Sequence, residues 1–339
     1  MRELASHFGR AADIGSRRLL RWTVVGVLLA LILYAPGLPA SQWAYVISNA
    51  AHGVVFAFIA PIVAVELMAA GRSRGRPYVV DYLAALATAL LFGGTTELLQ
   101  IPLARDASVY DLANDMCGAL LGLACLAFFD RRLRLAVRIS APVSAVIPVA
   151  ILAAPIVACA VAYAQRDAAF PAIADFRYSN LYFIDGVAAE LEVGPLPDAW
   201  SPSQSRSESA SNADSDRTLR VEFEMAQWSG VDLREPVPDW RGYRELALDL
   251  TNPNDSTLEV NLRVHDALHN FTFGDRFNTT LQLDPGSRAV FRVPLTAIAK
   301  APESRAMDMS RIADLMLFVS REEGEHAPGG LYVSRIWLE

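Results

Sequence analysis

The sequence predicts a protein in two parts: a membrane α-helical bundle of about five transmembrane helices, followed by an exported all-β domain of the jelly-roll or sandwich kind. Three observations carry this expectation. At 339 residues and 53% hydrophobic, the chain is too apolar for one soluble domain and long enough for about two, at ~100–200 residues each. Its long apolar runs lie almost entirely within residues 20–164. Residues 165–339 instead alternate apolar and polar side chains, with Asn, Asp, Pro and Gly between the runs.

The membrane half comes first. Spans are expected at 20–38, 45–70, 79–101, 110–129 and 143–163, each within reach of the ~17–25 residues a helix needs to cross hydrocarbon. Residues 1–19 form a basic N-terminal segment. Because further spans follow, the first is read as an uncleaved anchor rather than a signal peptide. Short basic loops stay on the cytoplasmic side. Arg2, Arg10, Arg17, Arg18 and Arg21 flank the first span; Arg72, Arg74 and Arg76 separate the second from the third; Arg131, Arg132, Arg134 and Arg138 separate the fourth from the fifth. An N-terminus inside and five crossings place residues 165–339 on the far side of the membrane, outside the cytoplasm.

Cys117, Cys125 and Cys159 all fall in expected spans, so the exported half has no cysteine and folds without disulfides. It holds 17 Lys and Arg against 28 Asp and Glu, which argues against a nucleic-acid partner.

Between Thr95 and Gly122 the junction of two spans carries an unusual polar set. Ionisable groups inside a bilayer cost roughly 2.5–3.5 kcal/mol each near its centre, so they are rarely kept without a use. Glu97 is expected ~6 Å inside the outer end of the third span, with Gln100 one turn nearer the surface and His52 of the second span at a similar depth. Asp111, Asn114, Asp115, Gly118 and Gly122 fall on one stripe of the fourth span. Ser108 to Asp111 also fits a helix-start capping box, in which Asp111 serves only backbone N–H groups. Gly118 and Gly122 fit close helix packing. Glu66 and Asp81, among arginines, fit surface ion pairs. Glu97 has no capping role in this reading and needs His52, Arg105 or its own proton as a partner.

The second-span His52, the E-x-x-Q of Glu97 and Gln100, then Arg105, Ser108, Asp111, Asn114 and the G-A-L-L-G of residues 118–122 resemble the VanZ-like family of bacterial membrane proteins over residues 20–130. The resemblance implies a cell-envelope role and, through the family's namesake, a link to glycopeptide antibiotic resistance without a settled reaction. The fifth span and the exported domain exceed that family's compact core.

In the aqueous half, Leu219, Val221, Phe223 and Met225 alternate with polar residues, as do Leu258, Val260, Leu262 and Val264. Turn signals fall at Asn252-Pro253-Asn254-Asp255, Asp284-Pro285-Gly286 and Pro328-Gly329-Gly330. A short helical stretch is expected near Met309 to Ala313. Residues 201–216 are a polar Ser-rich loop, read as an excursion within the domain because apolar alternation at 176–193 supplies an earlier strand; the alternative is a tether, with the fold beginning at Leu219.

His265, Asp266, His269, Asp275 and Arg276 cluster with phenylalanines, and Trp240 and Tyr243 lie in an earlier passage. Aromatic faces beside acid, amide and guanidinium groups suit sugar rings, which makes these the candidate glycan-binding residues. Core packing is the competing reading of the aromatics. Residues 240–250, Val264-His265-Asp266, residues 275–278, Val293-Pro294-Leu295, Met307-Asp308-Met309 and the terminal strand resemble galactose-binding-like jelly rolls used as carbohydrate-binding modules. The resemblance implies a non-catalytic glycan site and a structural Ca²⁺, with Glu222, Asp249 and Glu339 as unranked candidate ligands.

Phosphate-loop, H-E-x-x-H, G-x-S-x-G and C-x-x-C signatures do not occur. Two readings remain. In the preferred one, the chain is a non-enzymatic membrane protein binding an envelope polysaccharide or glycolipid through its exported domain. In the other, it is a membrane enzyme acting on a lipid-linked glycan through His52, Glu97 and Asp111.

Overall fold

The computed structural model describes residues 2–34, 41–71, 75–103, 108–176, 181–200, 217–322 and 329–339. Arg105, the 201–216 segment and Pro328 therefore lie outside the described residues. The chain divides into two compact units, Met1–Cys159 and Ala160–Glu339.

The first unit is helical: α1 (Arg2–Tyr34), α2 (Gln42–Gly71), α3 (Tyr78–Gln100), α4 (Val109–Phe129) and α5 (Leu135–Ala169), with a single 3₁₀ turn at Ile101–Leu103 after α3. Among the described residues, four helices, α2 to α5, are long and apolar enough to cross a membrane. The expected span at 20–38 is not among them: α1 is described up to Tyr34, and its last eighteen residues include Arg17, Arg18 and Arg21. A core of Phe56, Ile59, Val63, Met68 and Leu123 packs with small alanines of α3 and α4. The α2 and α4 backbones meet closely at their glycines. A Cβ on Gly118 would lie 1.8 Å from the Gly53 carbonyl oxygen, and one on Gly122 would lie 2.1 Å from that of Ala57. Only small residues permit that approach. Val143, Val146 and Ile147 of α5 and Leu83, Leu91 and Leu98 of α3 stay exposed.

Glu66 and Asp81, expected as surface ion pairs, are paired but buried. Glu66 meets Arg21 at 2.7 Å and Arg18 at 3.3 Å; Asp81 meets Arg76 at 3.7 Å.

The second unit is an antiparallel β-sandwich. Its strands are β1 (Ala172–Ala174), β2 (Ile184–Val187), β3 (Ala189–Pro195), β4 (Arg217–Phe223), β5 (Trp228–Arg234), β6 (Glu245–Thr251), β7 (Leu258–Asp266), β8 (Phe277–Leu283), β9 (Arg288–Pro294), β10 (Ile312–Ser320) and β11 (Gly330–Leu338). One sheet runs β3-β4-β11-β6-β9, with β1 also on β11; the other runs β2-β5-β10-β7-β8. The period-2 runs at Leu219 to Phe223 and Leu258 to Val264 point their apolar members inward, where each fully buried side chain contributes ~1.5–3 kcal/mol. Met225 falls beyond β4 and is exposed. β3 pairs with β4 along its whole length, so strands of one sheet stand on both sides of residues 201–216 in the sequence.

The helical stretch expected near Met309 to Ala313 is a turn feeding β10; the short helix, α6, lies instead at Leu295–Ala299. Asn252 explains the turn before β7: its buried side-chain amide donates to the Ser256, Leu283 and Asp284 carbonyls. The last turns of α5 belong to this unit, where Arg166 stacks on Tyr163 and Phe183 and donates to the Glu235 carbonyl at 2.8 Å.

Candidate functional sites

In the helical unit, three helices bring polar groups together. The α2–α4 glycine contact sets His52 beside Asp115, with His52 Nδ1 3.4 Å from Asp115 Oδ1. Glu97 of α3 joins them, so that one ligand atom from each of His52, Glu97 and Asp115 lies within 4.8 Å of the other two. Asp115 is 1% exposed and Glu97 6%. His52 Nδ1, Glu97 Oε1, Asp111 Oδ1 and both Asp115 oxygens have no hydrogen-bond partner among the described residues.

The capping at Ser108 differs from the sequence expectation. The Ser108 hydroxyl accepts from the Asp111 N–H at 3.2 Å, as a capping box requires, but the Ser108 N–H donates to Glu97 Oε2 at 2.6 Å. Glu97, expected to have no capping role, does what the third helical residue ordinarily does. Asp111, for which the sequence left capping and a role in the cluster both open, keeps its Oδ1 without a hydrogen-bond partner among the described residues.

Asn114 donates to the Asn49 carbonyl at 3.3 Å, and Gln100 is buried at the end of α3; neither belongs to the three-residue group. Asp115 does belong, although it was read only as one member of a stripe. Its position one turn beyond Asp111, on the same helix face, was the available signal.

In the sandwich, the β2-β5-β10-β7-β8 sheet turns a half-buried polar band outward. The register aligns Asp185, Asp232, Met316, Arg263 and Asn278 in one row across five strands, with Arg234, Asp314 and His265 in the adjacent row. The next row carries Phe318, Asn261 and Thr280, and Trp228, 56% exposed, stands beyond it. Arg263 lies 4.8 Å over the Phe318 ring. Arg276 continues the parity of Asn278. Asp232 Oδ1, Arg263 Nε and Arg276 Nε have no hydrogen-bond partner among the described residues. Burial, with the carboxyl of Asp232 next in effect, pushes Asp314 up to about 8, so Asp314 holds a proton at neutrality. Burial and the adjacent His269 and Arg263 hold His265 below its usual value, and its Nε2 stands 3.7 Å from Asp314.

Several sequence candidates have other roles. Trp240 is fully buried, its indole N–H bonded to the Val237 carbonyl, and Tyr243 packs on Phe170 against the core. Asp239, Arg241 and Gly242 around Trp240 gave it a surface look. Asp266 and Asp275 hold Arg305: its Nη2 and Nη1 reach Asp266 at 2.7 and 2.5 Å, and its Nε reaches Asp275 at 2.6 Å. Although burial opposes it, this guanidinium keeps Asp266 below the usual carboxylate range; it does the same for Asp275. His269 stacks on His265 with ring centroids 4.5 Å apart and so supports the band from behind.

The Ca²⁺ candidates do not converge. Asp249 is held by Arg288 at 2.7 Å, Glu222 by Arg220, and Glu339 by the Trp337 indole at 2.9 Å and Arg292 at 3.4 Å.

No protein-family model matches the chain, and no curated protein matches it. Among solved structures, it is similar to the family 11 carbohydrate-binding module from Clostridium thermocellum in complex with a β-1,3-1,4-mixed-linked tetrasaccharide, at 13% identity and a TM-score of 0.35, over 49% of this chain and 93% of that one. It is also similar to an exo-β-agarase, at 14% identity and a TM-score of 0.36, over 49% of this chain and 24% of the agarase.

Proposed function

We propose that the protein is a membrane-anchored glycan receptor of the bacterial cell envelope, which binds an envelope polysaccharide or glycolipid on the outer face of the β2-β5-β10-β7-β8 sheet. One observation carries this reading: Asp232, Arg263 and Arg276 each hold a polar atom with no hydrogen-bond partner among the described residues, in a band with Asp314, His265 and Asn278. Sugar hydroxyls both donate and accept, so they suit carboxyl oxygens set beside guanidinium and amide donors. Trp228 offers the exposed ring on which a sugar's C–H face stacks.

Helices α2 to α5 anchor the chain. The arginines of the α4–α5 connection stay in the cytoplasm, so α5 ends on the far side and carries the sandwich outside. That placement does not depend on whether α1 crosses. The VanZ-like pattern of residues 20–130 fits the same envelope setting, and a role in glycopeptide resistance is the specific form it would take.

The full chain in detergent is tested by affinity electrophoresis and calorimetry against peptidoglycan fragments, lipopolysaccharide and neutral glucans. Binding by the parent, lost in Trp228→Ala and Asp232→Ala, is expected; no binding across the panel overturns the reading. The second reading, a membrane enzyme acting on a lipid-linked glycan, is favoured by the convergence of His52, Glu97 and Asp115 within the helical unit, with Asp111 Oδ1 left without a hydrogen-bond partner among the described residues.

A further inference from the structure

We infer that His52, Glu97 and Asp115 form a binding site for one divalent cation of the zinc or manganese class. Two carboxylates and an imidazole converge, and each presents an atom with no hydrogen-bond partner among the described residues. Two of the three side chains are more than nine-tenths buried. Two buried carboxylates with a single imidazole between them are costly, and a divalent ion neutralises both at once.

The spacing suits such an ion. Ligand atoms within 4.8 Å of one another surround a common centre, and a modest inward movement brings them to the ~2.0–2.2 Å of zinc–nitrogen and zinc–oxygen bonds. The surroundings leave the site open. Glu97 is oriented through Oε2 by the Ser108 N–H, and its Oε1 remains free for a ligand role. Gly93 makes room for Asp115, since a Cβ there would come within 2.7 Å of Asp115 Oδ2.

The imidazole selects against Mg²⁺ and Ca²⁺, which prefer all-oxygen sets, and the lack of a thiolate among the three selects against Cu(I). Three protein ligands leave a coordination position for an oxygen donor such as a phosphate or carboxylate. The inference stands apart from the sandwich's ligand, so either can fail without the other.

The test uses the full chain in detergent, stripped with chelator, loaded separately with Zn²⁺ and Mn²⁺, desalted and measured by elemental mass spectrometry. About one ion per chain is expected for one of the two metals. His52→Gln and Asp115→Asn should weaken binding by at least the ~10–100-fold that losing even an outer partner costs, while Glu66→Gln, whose acid pairs with Arg18 and Arg21, keeps it. Less than about a tenth of an ion per parent chain with both metals, or undiminished binding in the two site variants, overturns the inference. Should the variants misfold, the parent alone decides: its thermal midpoint rises with the bound metal and returns on chelation, and no rise with either metal overturns the inference.

Discussion

The two units bury charge in opposite ways. In the sandwich, Arg305 sits between Asp266 and Asp275, and backbone N–H groups of Leu268, Asn270 and Asp308 take up further carboxylate oxygens. In the helical bundle, His52, Glu97, Asp111 and Asp115 have no arginine or lysine partner among the described residues, and several of their atoms have no hydrogen bond. Burial alone does not distinguish the two clusters. Satisfaction does: a closed network of donors and acceptors stabilises a fold, whereas a buried set left open is kept for something that arrives from outside.

The sharpest way to break this contrast is to remove Arg305. Arg305→Ala leaves two buried carboxylates without their cation and should destabilise the sandwich by about 3–5 kcal/mol. Denaturant unfolding followed by tryptophan fluorescence, to which buried Trp240 contributes, reads the effect. A loss below about 1 kcal/mol would mean that the closed network contributes no more than an exposed ion pair does.

The open cluster depends on backbone approach rather than on charge pairing. Gly118→Ala sets a methyl against the Gly53 carbonyl and forces α2 and α4 apart, next to the His52–Asp115 contact. A cost of about 1–3 kcal/mol is expected from overpacking, seen as a lowered thermal midpoint of the detergent-solubilised chain. The same variant should weaken any ligand held between the two helices more than Arg305→Ala does.

Asp314 stands between the two cases, since it is half-buried and lies beside the carboxyl of Asp232. Its carboxyl is raised from 3.8 to about 8, so the folded chain holds a proton that the unfolded chain releases. Its contribution to sandwich stability is therefore complete below the unfolded value and is lost as pH rises through the folded one. Raising pH from about 5 to about 8.5 should lower stability through this group, and Asp314→Asn should flatten that dependence in denaturant melts.

The elements were far more legible in the sequence than the sites. Helices α2 to α5 announce themselves by unbroken apolar runs, and β4 and β7 by strict alternation at Leu219 to Phe223 and Leu258 to Val264. Both patterns are local and follow from burial on one or all faces. The outward band is not local. Asp232, Arg263 and Asp314 come from three strands far apart in the chain, and only the register of β5, β10 and β7 sets them side by side. Trp240 misled for the converse reason, because its polar neighbours are turn residues around a buried ring. The α4 stripe was readable; which of its acids caps the helix and which stays open was not, because the answer rests on an acid from α3.

That acid makes the finest test of the contrast. Glu97 has two separable properties, a hydrogen bond from the Ser108 N–H through Oε2 and a charge with an unpartnered Oε1 facing the cluster. Glu97→Gln keeps an acceptor for the cap and removes the charge; Glu97→Ala removes both. In metal-stripped protein, the Ala variant should therefore be less stable than the Gln variant by about 1 kcal/mol, the ordinary worth of a helix cap. The Gln variant should match or exceed the parent, since it relieves a buried negative charge close to two others. Were Gln and Ala equally destabilising, the charge of Glu97 would be serving the fold as Asp266 and Asp275 do, and the open cluster would be structural after all.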